Sequence, residues 1–224
     1  MAEQQEGPSS LSNSFTDLMT SLAVIFILLQ CASLNNAQQE AQRIRNSMLV
    51  EVQKELKSFL EGGIQVISDP KDPLGLLILV PEDLLAFPLD RADISYAGEE
   101  FLKAFIPRLA TTLCSPRFGP EINSIVVEGH TDSSGTDEHN WDLSQRRSMS
   151  VVRTSLAVLS TQDTFDERSA FLRLLSASGR GSAELIIGPT GQEDAALSRR
   201  VVFKIRVRSF EQKTLTETLA SRPS

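Results

Sequence analysis

The longest apolar run lies near the start of the chain. No residue in 18–39 is charged, and residues 22–29 are wholly apolar (Leu22, Ala23, Val24, Ile25, Phe26, Ile27, Leu28, Leu29). Widened to residues 15–34, the run is long enough for one membrane-spanning helix at about 1.5 Å per residue. Residues 37–61 contain neither Pro nor Gly and stop at Gly62 and Gly63, which predicts a second helical stretch with a glycine terminator. Leu49, Val52, Leu56 and Phe59 repeat at spacings of three, four and three. That seam suits pairing with another helix or packing on the chain's own domain. Beyond it the period shortens. Residues 64–68 and 76–80 read as strands around the turn residues Asp69, Pro70, Lys71, Asp72 and Pro73. Residues 96–113 read as a helix with Phe101, Leu102, Phe105, Leu109 and Leu113 on one face, and Pro107 predicts a kink or break. Ile125, Val126 and Val127 form a buried strand, residues 147–159 a helix and 171–175 a further helical turn, while 183–187 and 201–207 complete the strands. The expected fold class is α+β, with helices on one face of a mixed sheet behind a single N-terminal transmembrane helix.

Length and charge narrow the function. A chain of 224 residues allows one anchor and one domain of ordinary size. The net charge of −7 argues against a nucleic-acid partner. The two cysteines, Cys31 and Cys114, fall in different segments, so an internal bridge is not expected. His130 and His139 lack companion ligands at zinc spacing, and Ser144 lacks a His-Asp partner order, so no metal and no catalytic triad is assigned. Ser144 instead suits the N-cap of the following helix. No phosphate loop or nucleotide motif occurs, and the chain reads as a non-enzyme without a cofactor.

The densest motif is Glu128, Gly129, His130, Thr131, Asp132, Ser133, Ser134 and Gly135, followed by Asn140, Leu143, Ser144, Arg146 and Arg147. It resembles the signature of OmpA-like peptidoglycan-binding domains, a strand, a GxTDxxG turn, an Asn and an LSxxR helix. Residues 84–87, with Asp90, Arg91, Ala92, Asp93 and Ile94 after them, resemble the opening strand and loop of that family. Ser198, Arg199, Arg200 and Val201 resemble its last-strand element. The resemblance implies that Asp132 and Arg147 grip diaminopimelate in the wall peptide, with Thr131, Asn140, Ser144 and Arg200 around them; Arg199 is the alternative to Arg200. The chemistry agrees, because a zwitterion needs a carboxylate for its ammonium and a planar guanidinium for its carboxylate. A solvated Asp/Arg pair at a helix start is the plainer alternative.

Asp17 stands at the head of the apolar run, in Phe15, Thr16, Asp17, Leu18, Met19 and Thr20. By position alone it is either an interfacial helix cap or an acid at membrane depth with a function. The segment resembles the (F/Y)ADxMT element of MotB-type stator subunits, which implies that Asp17 relays the transported ion, proton or sodium, supported by Thr20 and Ser21. Residues 125–129, 143–147, the inserted segment 171–179 and residues 198–201 further resemble the ZorB branch of MotB-like subunits, found in Zorya anti-phage defence. That resemblance implies a homodimer and a MotA/ZorA-like channel partner at five to two. It divides the chain into a cytoplasmic tail (1–12), a transmembrane helix (13–36), a helical linker (37–62), a peptidoglycan-binding domain (63–210) and a C-terminal tail (211–224). The expected location is the bacterial inner membrane, single-pass, with the C-terminal domain periplasmic. Charge does not support that orientation: Glu3 and Glu6 precede the span, whereas Arg43, Arg45, Lys54 and Lys57 follow it. The competing classes are a flagellar-type MotB subunit and a passive wall anchor of Pal or OmpA type. Leu28, Leu29, Gln30 and Cys31 fit a lipoprotein processing site poorly, because Gln30 is bulky.

Overall fold

The structure is a computed structural model and describes residues 8–57, 63–161 and 165–209. It forms two compact units divided between Ile44 and Arg45. The first unit carries most of α1 (Pro8–Lys57), a single helix that joins the two helical stretches expected from the sequence, the second as far as Lys57. The stretch Phe15–Asn36 is long and apolar enough to cross a membrane, and none of it is buried by the protein. At about 1.5 Å per residue it reaches roughly 33 Å, matching a hydrocarbon core of about 30 Å.

The second unit is built on a five-stranded sheet in the order β1-β2-β5-β3-β4. The strands are β1 (Gln65–Ser68), β2 (Gly75–Pro81), β3 (Ile122–His130), β4 (Leu175–Gly179) and β5 (Arg200–Val207). All neighbours are antiparallel except β3 and β4. The helices are α2 (Tyr96–Leu113), α3 (Asp137–Ser160), α4 (Phe165–Leu174) and the short α5 (Ala195–Ser198). Strand alternation turns one side chain in two toward the helices, and register aligns these into rows. Leu76, Ile205 and Ile125 form one row; Ile78, Phe203 and Val127 form the next. All six are buried. Phe105 of α2 meets Phe203 edge-on, with centroids 5.2 Å from Phe101 and 5.4 Å from Phe203.

The third row is Val80, Val201, Gly129 and Gly179, and its two glycines admit α3. A Cβ on Gly129 would lie 2.3 Å from the Ser144 carbonyl oxygen, and one on Gly179 would lie 2.6 Å from the Gln145 nitrogen. Helix and sheet therefore touch backbone to backbone at the end of the domain where β3 delivers its turn.

Several expectations are corrected. Residues 84–87 form turns and loop rather than a strand, with Leu84 and Leu85 amides donating to the Pro81 carbonyl. Residues 183–187 are not a strand either; Ile187 makes only an isolated bridge to Glu193. The fifth strand is β4, a small-residue segment that pairs in parallel with β3. Pro107 lies inside α2, which continues through it; a proline removes one ladder bond there without ending the helix. In the 49–59 seam, Leu49 and Val52 are buried in their own domain's core, and Gln53 donates to the Val66 carbonyl of β1. Those two positions are thus covered without a second helix. The Leu56 side chain, Phe59 and the C-terminal tail lie outside the described residues.

Candidate functional site

β3 ends at His130 and the chain turns through residues 131–135 into α3. Gly135 takes φ +87°, a left-handed conformation that glycine adopts at little cost. Thr136 caps α3, its hydroxyl accepting the His139 amide at 3.3 Å, and Asp137 and Glu138 meet the positive end of the helix dipole. Asn140 then reaches back, donating to the Ser134 carbonyl at 2.8 Å and the Asp132 carbonyl at 3.4 Å. From outside, Glu193 accepts the Ser133 amide at 3.1 Å and its hydroxyl. The turn is held from both sides before any ligand arrives.

Asp132 and Arg147 line one cleft of about 410 Å³, together with Thr131, Asn140, Phe87, Leu89, Leu143, Glu82 and Arg199. Asp132 Oδ1 accepts the Ser134 amide at 3.1 Å and the Ser134 hydroxyl; Oδ2 meets Arg199 Nη1 at 2.7 Å. Burial pushes this carboxyl up, but the Ser134 hydroxyl and the Arg199 guanidinium outweigh it and hold it below the usual range. Arg147 is only 6% exposed. Its Nε donates to the Arg91 carbonyl at 3.0 Å, and its guanidinium lies 5.0 Å from the Phe87 ring centre. Burial lowers its pKa, with Glu82 opposing, yet an arginine starts so high that it keeps its charge. The Thr131 hydroxyl is buried and has no hydrogen-bond partner among the described residues. Unpaired buried hydroxyls are uncommon, and Thr131 is one of the residues around the cleft.

Two of the residues expected at the site have other places. Ser144 does not cap α3, which begins more than a turn earlier; it is fully buried. Its hydroxyl donates to the Trp141 carbonyl and accepts the Gly181 amide at 2.9 Å. Arg200 does not line the cleft. Its terminal nitrogens donate to the Ser198 and Glu184 carbonyls at 3.0 and 3.1 Å and hold the loop between β4 and α5. Its neighbour Arg199 takes the cleft, bridging Asp132 and Glu82 at 2.7 and 2.6 Å. The sequence signal for Arg199 is parity: adjacent residues at a strand start point to opposite sides. His130 is buried, its ring nitrogens without a hydrogen bond among the described residues and Nε2 3.8 Å from Glu128, and burial lowers its pKa, which favours the neutral ring at pH 7.

In the first unit, Asp17 lies well inside α1, which starts at Pro8, so it is neither the cap nor a first-turn acid. Thr20 donates its hydroxyl to the Thr16 carbonyl at 2.8 Å. Thr20 and Ser21 follow Asp17 at helical spacings of three and four, which puts the three oxygens on one face. Neither Cys31 nor Cys114 forms a disulfide among the described residues.

A turn of this build, on a mixed sheet covered by helices, defines a class. The OmpA family model matches residues 87–199, and the chain belongs to the OmpA family. Over 207 residues it is 25% identical to the Zorya protein ZorB of Escherichia coli (strain ATCC 8739 / Crooks), covering 86% of each chain. A crystal structure of a protein described as MotB-like, from Desulfovibrio vulgaris, shares the fold. Its TM-score is 0.53 and its identity 22%, over 77% of this chain and 99% of that one.

Proposed function

We propose that the protein is the peptidoglycan-held subunit of an ion-driven inner-membrane motor, of ZorB type. Asp132 accepts the terminal ammonium of diaminopimelate in the wall peptide, and Arg147 donates its free terminal N–H groups to the carboxylate on the same carbon. Thr131 supplies a hydroxyl, while Asn140 shapes the turn. The observation that carries this reading is the convergence of Asp132 and Arg147, opposite in charge and partly desolvated, on one cleft beside an unpaired hydroxyl. The similarity to ZorB covers 86% of this chain, and with the apolar stretch Phe15–Asn36 it supports a single-pass subunit with its C-terminal domain in the periplasm. The same similarity supports a ZorA-like channel partner and a homodimer. Within this reading Asp17 carries the ion, proton or sodium, by cycling between charged and neutralised forms. Its place inside α1 favours this over a cap. The protein has no catalytic role here; its work is to bind and relay.

The wall site is tested with purified peptidoglycan sacculi. Asp132→Ala and Arg147→Ala each remove a charge-assisted hydrogen bond worth about 1.5–3 kcal/mol, so each weakens sedimentation with sacculi about tenfold or more. Both variants keep the wild-type circular dichroism spectrum. Undiminished sedimentation of both folded variants would reduce the pair to a structural contact.

A further inference from the structure

We infer that Arg199 is the second half of a carboxylate clamp. It would make the cleft selective for a diamino acid that keeps a carboxylate beside its terminal ammonium, over one carrying the ammonium alone. The inference rests on the wall-peptide reading and adds a selectivity residue to it.

The first argument is a count of donors and acceptors. A carboxylate offers about four acceptor positions and a guanidinium five N–H donors. Asp132 has given two positions on Oδ1 to Ser134 and one on Oδ2 to Arg199, leaving room for one further donor. The guanidiniums are far less committed. Among the described residues, Arg147 uses only Nε, on the Arg91 carbonyl. Arg199 uses Nε on Glu82 and one Nη1 proton on Asp132. The cleft thus has one place for an ammonium proton and several N–H groups, from two planar forks, for a carboxylate.

The second argument is charge. Glu82 and Asp132 balance Arg147 and Arg199, all four lining the same cleft. Asp90, on the rim, is bound to His139 at 2.6 Å and is largely exposed. A zwitterionic headgroup keeps the inner four-charge set neutral. An ammonium without its carboxylate adds an uncompensated positive charge beside two guanidiniums, where desolvation makes like charges costly. Arg199 cannot swing clear of that conflict without abandoning both Glu82 and Asp132.

Stem tripeptides ending in diaminopimelate or in lysine differ at this end by the one carboxylate, and provide the test. Their affinities for the full chain in detergent are measured by calorimetry, for wild type, Arg199→Gln and Arg199→Lys. Wild type is expected to bind the diaminopimelate peptide at least tenfold tighter. Arg199→Gln should weaken that peptide about tenfold and leave the lysine peptide within about twofold, so the preference collapses; Arg199→Lys should restore part of it. Equal weakening of both peptides in Arg199→Gln would make Arg199 a structural ion pair and overturn the clamp. So would an unchanged preference, and in either case the wall-peptide reading would stand. If wild type binds neither peptide, that reading falls and the clamp with it.

Discussion

Ser144 and Gly129 carry the most consequence per atom outside the cleft. The Ser144 hydroxyl satisfies the buried Gly181 amide. Ser144→Ala orphans that amide at a cost of about 1–3 kcal/mol in urea unfolding, while sedimentation of the folded variant with sacculi stays near wild type. Gly129→Ala drives a Cβ into the Ser144 carbonyl, which backbone cannot easily yield, and should lose about 1–3 kcal/mol or more. Gly191→Ala is the matched control: no described residue lies within 4 Å of the added Cβ, so the cost is that of φ +78°, about 1–2 kcal/mol. At this scale the turn from Thr131 to Gly135 and the placing of Arg147 were legible, because spacing along a strand, a turn and a helix determines them. The roles of Ser144 and Arg199 were not. Ser144 looks like a cap because serine usually caps, but Thr136 stands earlier and α3 starts there. Arg199 and Arg200 are chemically identical in sequence, and only the course of the chain into β5 separates them.

Elements were read well where one periodicity ruled. The bounds of α2 follow from its apolar face and from Ser95, whose hydroxyl accepts the Gly98 amide at 3.2 Å. β4 escaped notice because Leu175, Ser176, Ala177, Ser178 and Gly179 lack β-branched residues; its pairing with β3 and the close approach of α3 favour small side chains over propensity. The apolar residues 185–187 misled in the opposite direction, for that segment belongs to a loop held by polar contacts. Glu184 anchors it, paired with Lys71 and Arg180 at 2.7 Å each. Burial raises the Glu184 carboxyl, but those two hydrogen bonds overcome it and bring it down to about 2. A lowered folded-state pKa means stability that is complete above the ordinary value of 4.5 and drains away as pH falls toward about 2. Glu184→Gln should therefore be less stable than wild type at pH 7 and should flatten the loss of stability between pH 4.5 and 2 in thermal melts. An unchanged acid slope would show that the pairs contribute nothing. The end of α1 is equally testable. Leu49 is 7% exposed, and Leu49→Ala should cost about 2–5 kcal/mol in unfolding of the second unit if the helix end belongs to that core.

On the scale of the whole molecule, α1 carries an acid near the head of an apolar span, and its residues Leu49 and Val52, in the second unit, are buried in the core of an OmpA-family domain. A single helix cannot shield an ion path from lipid, so relay at Asp17 requires a channel subunit against the exposed span. A passive wall anchor requires neither the acid nor the partner. The most direct measurement is ion flux in vesicles holding the chain with a ZorA-like channel subunit, comparing wild type with Asp17→Asn at equal expression. Asn nearly matches Asp in shape and cannot ionise, so Asp17→Asn should insert and bind the partner as wild type does while flux disappears. Flux at the wild-type level in Asp17→Asn would contradict ion relay and leave the chain a passive anchor.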